Sequence, residues 1–132
     1  PCSVAVWSGD PTIEDCELAI ASARALHDKV GGPVVLIGVV KANARMPSRE
    51  VTLRMAECWP QLFEVASLIQ CVSLPGGMTA ARIIGMIGSV FGRHGRKVSI
   101  YRTLPAAMQE LQQVAPGLST VELERLIREA IG

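Results

Sequence analysis

The sequence predicts an α/β fold: a single four-stranded, mostly parallel sheet with helices, plus an extra helix at the C-terminus. Two observations lead to this fold class. Strand-like and helix-like segments alternate along the 132 residues, which is typical of parallel strands joined by helical crossovers. In addition, residues 33–40 (PVVLIGVV) form an unbroken apolar run, which indicates a strand that is buried on both faces of a sheet.

The first strand and the first helix have clear sequence boundaries. Residues 2–7 (CSVAVW) are mostly small or β-branched, and a Ser-Gly-Asp-Pro turn follows them. Thr12 is the expected N-cap of the first helix, with Asp15 as its capping-box partner. Gly31-Gly32 is expected to end this helix. In the buried second strand, Gly38 is interpreted as a point where a neighbouring backbone approaches closely.

The middle of the chain predicts a second helix, a third strand and a third helix. Ser48 is the expected N-cap of the second helix. Pro60 is expected to kink this helix or to split it after Trp59, because proline cannot donate the helical hydrogen bond. The apolar residues 68–74 are predicted as the third strand, and residues 78–91 as the third helix.

The last third of the chain predicts one more strand and two helices. Residues 98–101 are predicted as the fourth strand. Thr103 is expected to cap a helix over residues 104–114, with a proline tolerated in its first turn. Ser119 and Glu122 are expected to form a capping box at the start of the last helix.

The element order and several local phrases resemble the STAS-like fold of anti-sigma-factor antagonists. GDPTIED leads into the first helix, PSR into the second, and TLPAAMQEL covers the fourth. The chain is most similar to small stand-alone bacterial variants of that family. The resemblance implies a cytoplasmic, non-catalytic regulatory domain over residues 1–115, with a helical extension over residues 116–132 outside it.

In anti-sigma-factor antagonists, a partner kinase phosphorylates a Ser or Thr at the turn after a central strand, within a phrase such as Asp-Ser-Ser-Gly. The corresponding turn here is residues 73–79, SLPGGMT, which lacks the Asp and replaces the double Ser by Gly or Pro. Ser73 and Thr79 supply its only hydroxyls, so they are the candidate phosphorylation sites. A helix N-terminus at Thr79 would favour a phosphate. The alternative is that Thr79 is an ordinary capping residue.

The third helix gives the strongest indication of a functional surface. Apolar and small side chains surround almost its whole circumference, and such a helix either lies in a core or covers a partner. Its cover is expected to be the chain's own last helix, a second copy of the chain or a lipid-like ligand. The predicted interaction surface consists of Pro75, Gly76, Gly77, Met78, Ile83, Ile84, Ile87 and Phe91.

The predicted function is therefore protein–protein interaction or regulation through residues 74–91. The expected partner is another protein or a second copy of the chain. The alternative is a small-molecule or lipid-binding module that uses the same apolar helix as a pocket wall. A net charge of +1 predicts no nucleic-acid partner. A local basic patch of Arg93, His94, Arg96 and Lys97 is interpreted as a solvated turn, with contact to anionic lipid or nucleic acid as the alternative.

Several classes of chemistry have no support in the sequence. The four cysteines are far apart, form no C-x-x-C pair and have no histidine nearby in sequence, so no metal site is predicted and the thiols are expected to be reduced. Neither His27 nor His94 has a nucleophilic partner, so we expect no catalytic site, no enzyme activity and no cofactor. No uncharged span reaches twenty residues, so no stable membrane insertion is expected.

Overall fold

The structure is a computed structural model that describes residues 2–91 and 98–131, without the side chains of residues 88–91. Its four strands form one sheet in the order β1-β2-β3-β4, and every neighbouring pair is parallel. The predicted α/β fold class is confirmed, with the final helix at the C-terminus. The elements in chain order are β1 (Cys2–Trp7), α1 (Ile13–Val30), β2 (Val34–Val40), α2 (Arg49–Val65), β3 (Ala66–Ser73), α3 (Met78–Phe91), β4 (Ser99–Tyr101), α4 (Leu104–Val114) and α5 (Thr120–Ile131).

The strand order follows the chain, and this fixes which helices share a face of the sheet. Right-handed crossovers in one direction place α1, α2 and α3 on the same face. Their core includes Cys16, Met55 and Ile84. The opposite face is covered by α4 and α5, whose core includes Leu111 and Ile127. Within the described ranges the strand order does not reverse, so the sheet lacks the switch-point crevice where open α/β sheets commonly bind cofactors.

The ends of α1 are set by local side-chain chemistry, as predicted. The Asp15 amide donates to Thr12 Oγ1 (3.1 Å), and the Thr12 amide donates to Asp15 Oδ2 (2.8 Å). This completes the predicted capping box. At the other end, Gly31 adopts a left-handed conformation with φ of 72°, which a glycine does without steric cost.

Helix α2 passes through Pro60 as a single element from Arg49 to Val65. Of the two predicted outcomes, the split after Trp59 is therefore wrong, and the kink stays a prediction. The buried side chains of Trp59 and Phe63 flank the proline, and their ring centroids lie 5.9 Å apart. Packing of these large side chains offsets the hydrogen bond that Pro60 cannot donate. Strand β3 then begins at Ala66, directly after the helix.

One side of the apolar circumference of α3 is covered by the protein's own core. Ile84 and Ile87 are buried in the same cluster as Phe63 of α2 and Ile69 of β3. The last helix lies on the opposite face of the sheet, where it buries Ile127. The expectation that α5 would cover α3 is therefore wrong, because α2 and the sheet already occupy that position. Within the described ranges, no helix is both long enough and apolar enough to cross a membrane.

Candidate functional site

The candidate site is built on the turn between β3 and α3, which is tied to the end of β2. The Leu74 amide donates to the Val40 carbonyl (2.9 Å), and the Gly77 amide donates to the Leu74 carbonyl (2.9 Å). The Ala81 amide then donates to the Gly77 carbonyl (3.0 Å), which starts α3. The turn is thus held in place by main-chain hydrogen bonds at both ends.

The two glycines of this turn are required by the close approach of neighbouring backbone. Gly76 has a φ of 91°, a conformation that side-chain-bearing residues rarely adopt. A Cβ on Gly77 would lie 2.7 Å from the Val40 carbonyl oxygen and 2.8 Å from that of Lys41. Because these obstacles are backbone atoms, they cannot rotate away. The glycine pair is therefore explained by the fold of the turn itself.

The two hydroxyls predicted as phosphorylation sites lie in different environments. Ser73 is only 2% exposed, and its Oγ donates to the Leu74 carbonyl (2.9 Å). Thr79 is exposed in the first turn of α3. A kinase needs access to the hydroxyl it modifies, so only Thr79 can be modified without opening the turn.

An open depression of about 420 Å³ lies beside the turn. Arg82, in the second turn of α3, and Arg102, just after β4, both line it and are both exposed. Neither guanidinium forms a hydrogen bond or an ion pair within residues 2–91 and 98–131. We call this feature the Arg82–Arg102 depression; its lining residues are Ser73, Leu74, Pro75, Gly76, Met78, Thr79, Arg82 and Arg102.

The electrostatics of this depression favour a negatively charged group. Two unpaired guanidinium groups face the same space, and each carries donors that match a carboxylate or a phosphate. The first N–H groups of α3 lack helical acceptors and add a partial positive charge. No aspartate or glutamate occurs between Val65 and Gln109, so no acidic side chain from this stretch neutralises the site.

The structure divides the predicted interaction surface into accessible and buried parts. Pro75 and Gly76 are exposed, and Met78 and Ile83 are half-buried. Met86, which was not in the predicted set, is 54% exposed on α3. Burial removes three residues from the predicted surface, because they pack inside the fold: Gly77, Ile84 and Ile87. The side chain of Phe91 and the basic patch (Arg93, His94, Arg96 and Lys97) lie outside the described residues.

Among the described residues, the histidine and the cysteines form neither a metal-binding cluster nor an activated thiol. His27 hydrogen-bonds to the exposed Asp28 (3.4 Å). In those same ranges, no cluster of three or more His, Cys, Asp or Glu side chains could hold a metal ion. Burial raises the pKa of the Cys16 thiol to about 11 and that of Cys71 to about 12. Both thiols are therefore protonated, and weak nucleophiles, at neutral pH.

Two residues of the site were not singled out by sequence patterns. Arg82 and Arg102 are 20 positions apart, and they line the same depression because β4 pairs with β3 next to the start of α3. The one sequence feature that pointed to this site was the charge balance of residues 65–109, which include five basic residues and no acidic ones. That signal indicated a positive region without showing which of its residues lie together.

Comparison with models of known protein families, with curated proteins and with solved structures found no match. The similarity to STAS-like domains therefore stays a prediction from the sequence.

Proposed function

We propose that this protein is a non-catalytic interaction domain that binds an acidic segment of a protein partner in the Arg82–Arg102 depression. The observation that carries the proposal is the pair of unpaired guanidinium groups in one open depression. Exposed arginines without partners are available for carboxylates, which they bind in a two-pronged geometry. The STAS-like resemblance supports the same general role, because it implies regulation through protein contacts.

The apolar neighbours of the depression extend the proposed contact along α3. Exposed ion pairs contribute little on their own, typically about 0–1 kcal/mol. Burial of apolar surface is the dominant favourable term in most protein–protein association. Met86 is exposed, and Met78 and Ile83 are half-buried, so they provide such a surface. The partner segment therefore combines acidic residues with at least one apolar side chain.

Thr79 gives this contact a means of regulation. It lines the same depression as Arg82 and Arg102 and is exposed. A phosphate on Thr79 would bring about 1.5 to 2 negative charges to the two arginines. It would thereby occupy the groups that bind the partner, so phosphorylation weakens the interaction.

The alternative in which α3 supplies the main wall of a ligand pocket is the weaker of the two. Most apolar side chains of α3 pack into the core, and Ile84 is the one α3 residue that lines the cavity on that side of the sheet, among the described side chains. A homodimer is an outcome of the experiment below, because a second copy could supply the acidic segment.

A random peptide library displayed on phage tests the proposal without knowledge of the partner. Selection on the wild-type protein is expected to enrich acidic peptides that carry an apolar residue. Their affinity should fall at least about tenfold in the Arg82→Ala/Arg102→Ala double variant, since charge-assisted hydrogen bonds are lost. It should also decrease with added salt. The control Arg128→Ala removes an exposed arginine from α5, on the other face of the sheet.

Three results would contradict or redirect the proposal. Selected peptides without acidic residues would contradict it, as would equal affinity for the wild type and the double variant. Peptides that reproduce an acidic segment of this chain would identify a second copy as the partner. The regulatory step requires that Thr79→Glu weaken peptide binding several-fold, whereas Thr120→Glu, at the first turn of α5, leaves it unchanged.

A further inference from the structure

A cavity of about 260 Å³ lies between the sheet and the helices on the α1 side. It is separate from the Arg82–Arg102 depression, and no residue lines both. Strands β1, β2 and β3 form its floor, and α1 and α2 form its roof. Its walls include Trp7, Met55, Trp59, Cys71 and Ile84.

The cavity exists because strand β2 carries a glycine at a position where neither α1 nor α2 fills the space above the sheet. Gly38, in the middle of β2, lines the cavity and has no side chain to fill it. A Cβ at Gly38 would lie 3.5 Å from Trp7 Nε1, so the indole of Trp7 lies over the glycine. Sequence reasoning expected a neighbouring backbone there; the neighbour that makes the closest approach is this side chain.

The roof is held by helix–helix contacts at the protein surface. Arg54 on α2 pairs with Glu17 on α1 (2.7 Å), and Arg24 on α1 pairs with Glu64 on α2 (3.7 Å). These pairs tie α1 to α2. Helix α1 can therefore keep its position over β1 although the cavity lies between α1 and the sheet.

The cavity opens to solvent between α1 and the edge strand β1. Its exposed lining residues belong to these two elements. Leu18 on α1 is 66% exposed, and Ser22 on the same helix is also exposed. Strand β1 pairs on one side with β2, and it stands at the end of the sheet. A small molecule can therefore enter without crossing the packed core.

The lining favours an uncharged ligand. Asp15 is the one charged side chain among the described residues that line the cavity, and its Oδ2 already accepts the Thr12 amide (2.8 Å). Burial raises the pKa of the lining thiols Cys16 and Cys71, so they contribute as neutral, polarisable groups. The Trp7 indole N–H has no acceptor within residues 2–91 and 98–131, so it is available to a ligand oxygen, as are the lining hydroxyls of Ser3 and Ser22.

We propose that this cavity binds an uncharged, mostly apolar small molecule of about ten non-hydrogen atoms that can accept one hydrogen bond. The size follows from the volume, because an apolar cavity of about 150 Å³ accommodates benzene. The charge follows from the lining, which offers no cation to an anionic ligand and whose one carboxylate, Asp15, already accepts the Thr12 amide. The hydrogen-bond acceptor follows from the unpartnered N–H of Trp7, which lies over Gly38 on the cavity floor. This inference is independent of the proposed partner contact, since it uses different residues on the same face.

The experiment uses three probes of similar size: 2-naphthol, naphthalene and the anion 2-naphthoate. Methyl NMR spectra of the full chain are recorded during each titration. 2-Naphthol should shift the methyl signals of Met55, Ile69 and Ile84 in the cavity, and naphthalene should shift the same signals with lower affinity. Met108 and Ile127, in the core on the other face, should not shift. 2-Naphthoate should bind at least tenfold more weakly than 2-naphthol. The two tryptophans of the chain both line the cavity, so their fluorescence gives a second readout.

Two filling variants test the location. Gly38→Val places methyl groups over the floor, and Ala19→Phe fills the space from α1, where Ala19 lines the cavity. Each is expected to reduce 2-naphthol affinity at least tenfold. The matched control Ala25→Phe, at an exposed position of the same helix, should bind as the wild type does. If one of the two filling variants does not fold, the 2-naphthol affinity of the other variant tests the location.

The proposal is overturned if no probe shifts the cavity methyl signals, or if the shifts appear at Met108 and Ile127 instead. It is also overturned if a folded filling variant binds 2-naphthol as tightly as the wild type, or if 2-naphthoate binds best.

Discussion

A Cβ atom on Gly85 would lie 2.6 Å from Cδ1 and 2.9 Å from Cγ1 of Ile100. Helix α3 therefore meets strand β4 with no side chain between its backbone and Ile100. Ile100 is 37% exposed, so its side chain has some freedom to move. Gly85 is explained by this approach to the sheet, and it needs no external partner to cover it.

Enlarging Gly85 should destabilise the fold. Gly85→Leu is expected to lower the free energy of unfolding by about 1–3 kcal/mol through overpacking, measured by urea denaturation. Gly85→Ala should cost less, and adding Ile100→Val, which removes Cδ1, should recover part of the loss. Gly117→Ala is the matched control, because nothing lies within 4 Å of a Cβ there. Unchanged stability of Gly85→Leu would show that the close approach is wrong.

Gly77 should be less tolerant than Gly85 to the smallest substitution. Gly77→Ala places a methyl group 2.7 Å from the Val40 carbonyl oxygen, and this backbone atom cannot move aside as the Ile100 side chain can. We expect a loss of at least about 1–3 kcal/mol in urea denaturation, larger than that of Gly85→Ala. The reverse order would mean that the turn after β3 is more adaptable than its hydrogen bonds indicate.

Gln70 should be replaceable by an apolar residue but not by a charged one. It is fully buried; its Nε2 donates to the Ala107 carbonyl (3.1 Å), and its Oε1 has no partner among the described residues. Gln70→Leu loses one hydrogen bond and removes one unsatisfied acceptor, so its stability should stay within about 1 kcal/mol of the wild type. Gln70→Glu should lose several kcal/mol at pH 7 and recover part of it at pH 5, where the carboxyl group binds a proton. Equal unfolding midpoints for the two variants at pH 7 would contradict this.

The buried Cys71 thiol should make the protein sensitive to alkaline pH. Burial raises its pKa from 9.0 to about 12, so the unfolded chain loses this proton at a lower pH than the native state does. Below about pH 9 the thiol is protonated in both states and contributes no pH dependence. Between about pH 9 and 12, its contribution to stability should fall by about 1.4 kcal/mol per pH unit. The free energy of unfolding, plotted against pH in this range, should fall less steeply in Cys71→Ala than in the wild type. The difference in slope should correspond to one proton. An identical slope would mean that Cys71 titrates normally in the native state.

Sequence reasoning succeeded where the determining interactions are local. The limits of α1 follow from Thr12, Asp15 and Gly31, which act within one turn of the helix. The central position of β2 follows from its continuous apolar run, and the structure pairs it with both β1 and β3.

Sequence reasoning failed where the outcome depends on distant packing. The continuity of α2 through Pro60 depends on how Trp59 and Phe63 are buried. The cover of α3 depends on the strand order, which sends α5 to the other face of the sheet. Arg82 and Arg102 line the same depression, and this depends on the pairing of β3 with β4. Periodicity and capping patterns carry none of this information.

The most direct test of the proposed function places a photo-crosslinking amino acid at position 86, on the exposed α3 face. The crosslinking is carried out inside the cells in which the protein naturally occurs. The control places it at position 126, because Leu126 is similarly exposed (49%, against 54% for Met86) but belongs to α5 on the opposite face. We expect a discrete protein adduct from position 86 that disappears in the Arg82→Glu/Arg102→Glu background, and no such adduct from position 126. An adduct at position 86 that persists after both charge reversals, or no adduct there at all, would contradict it.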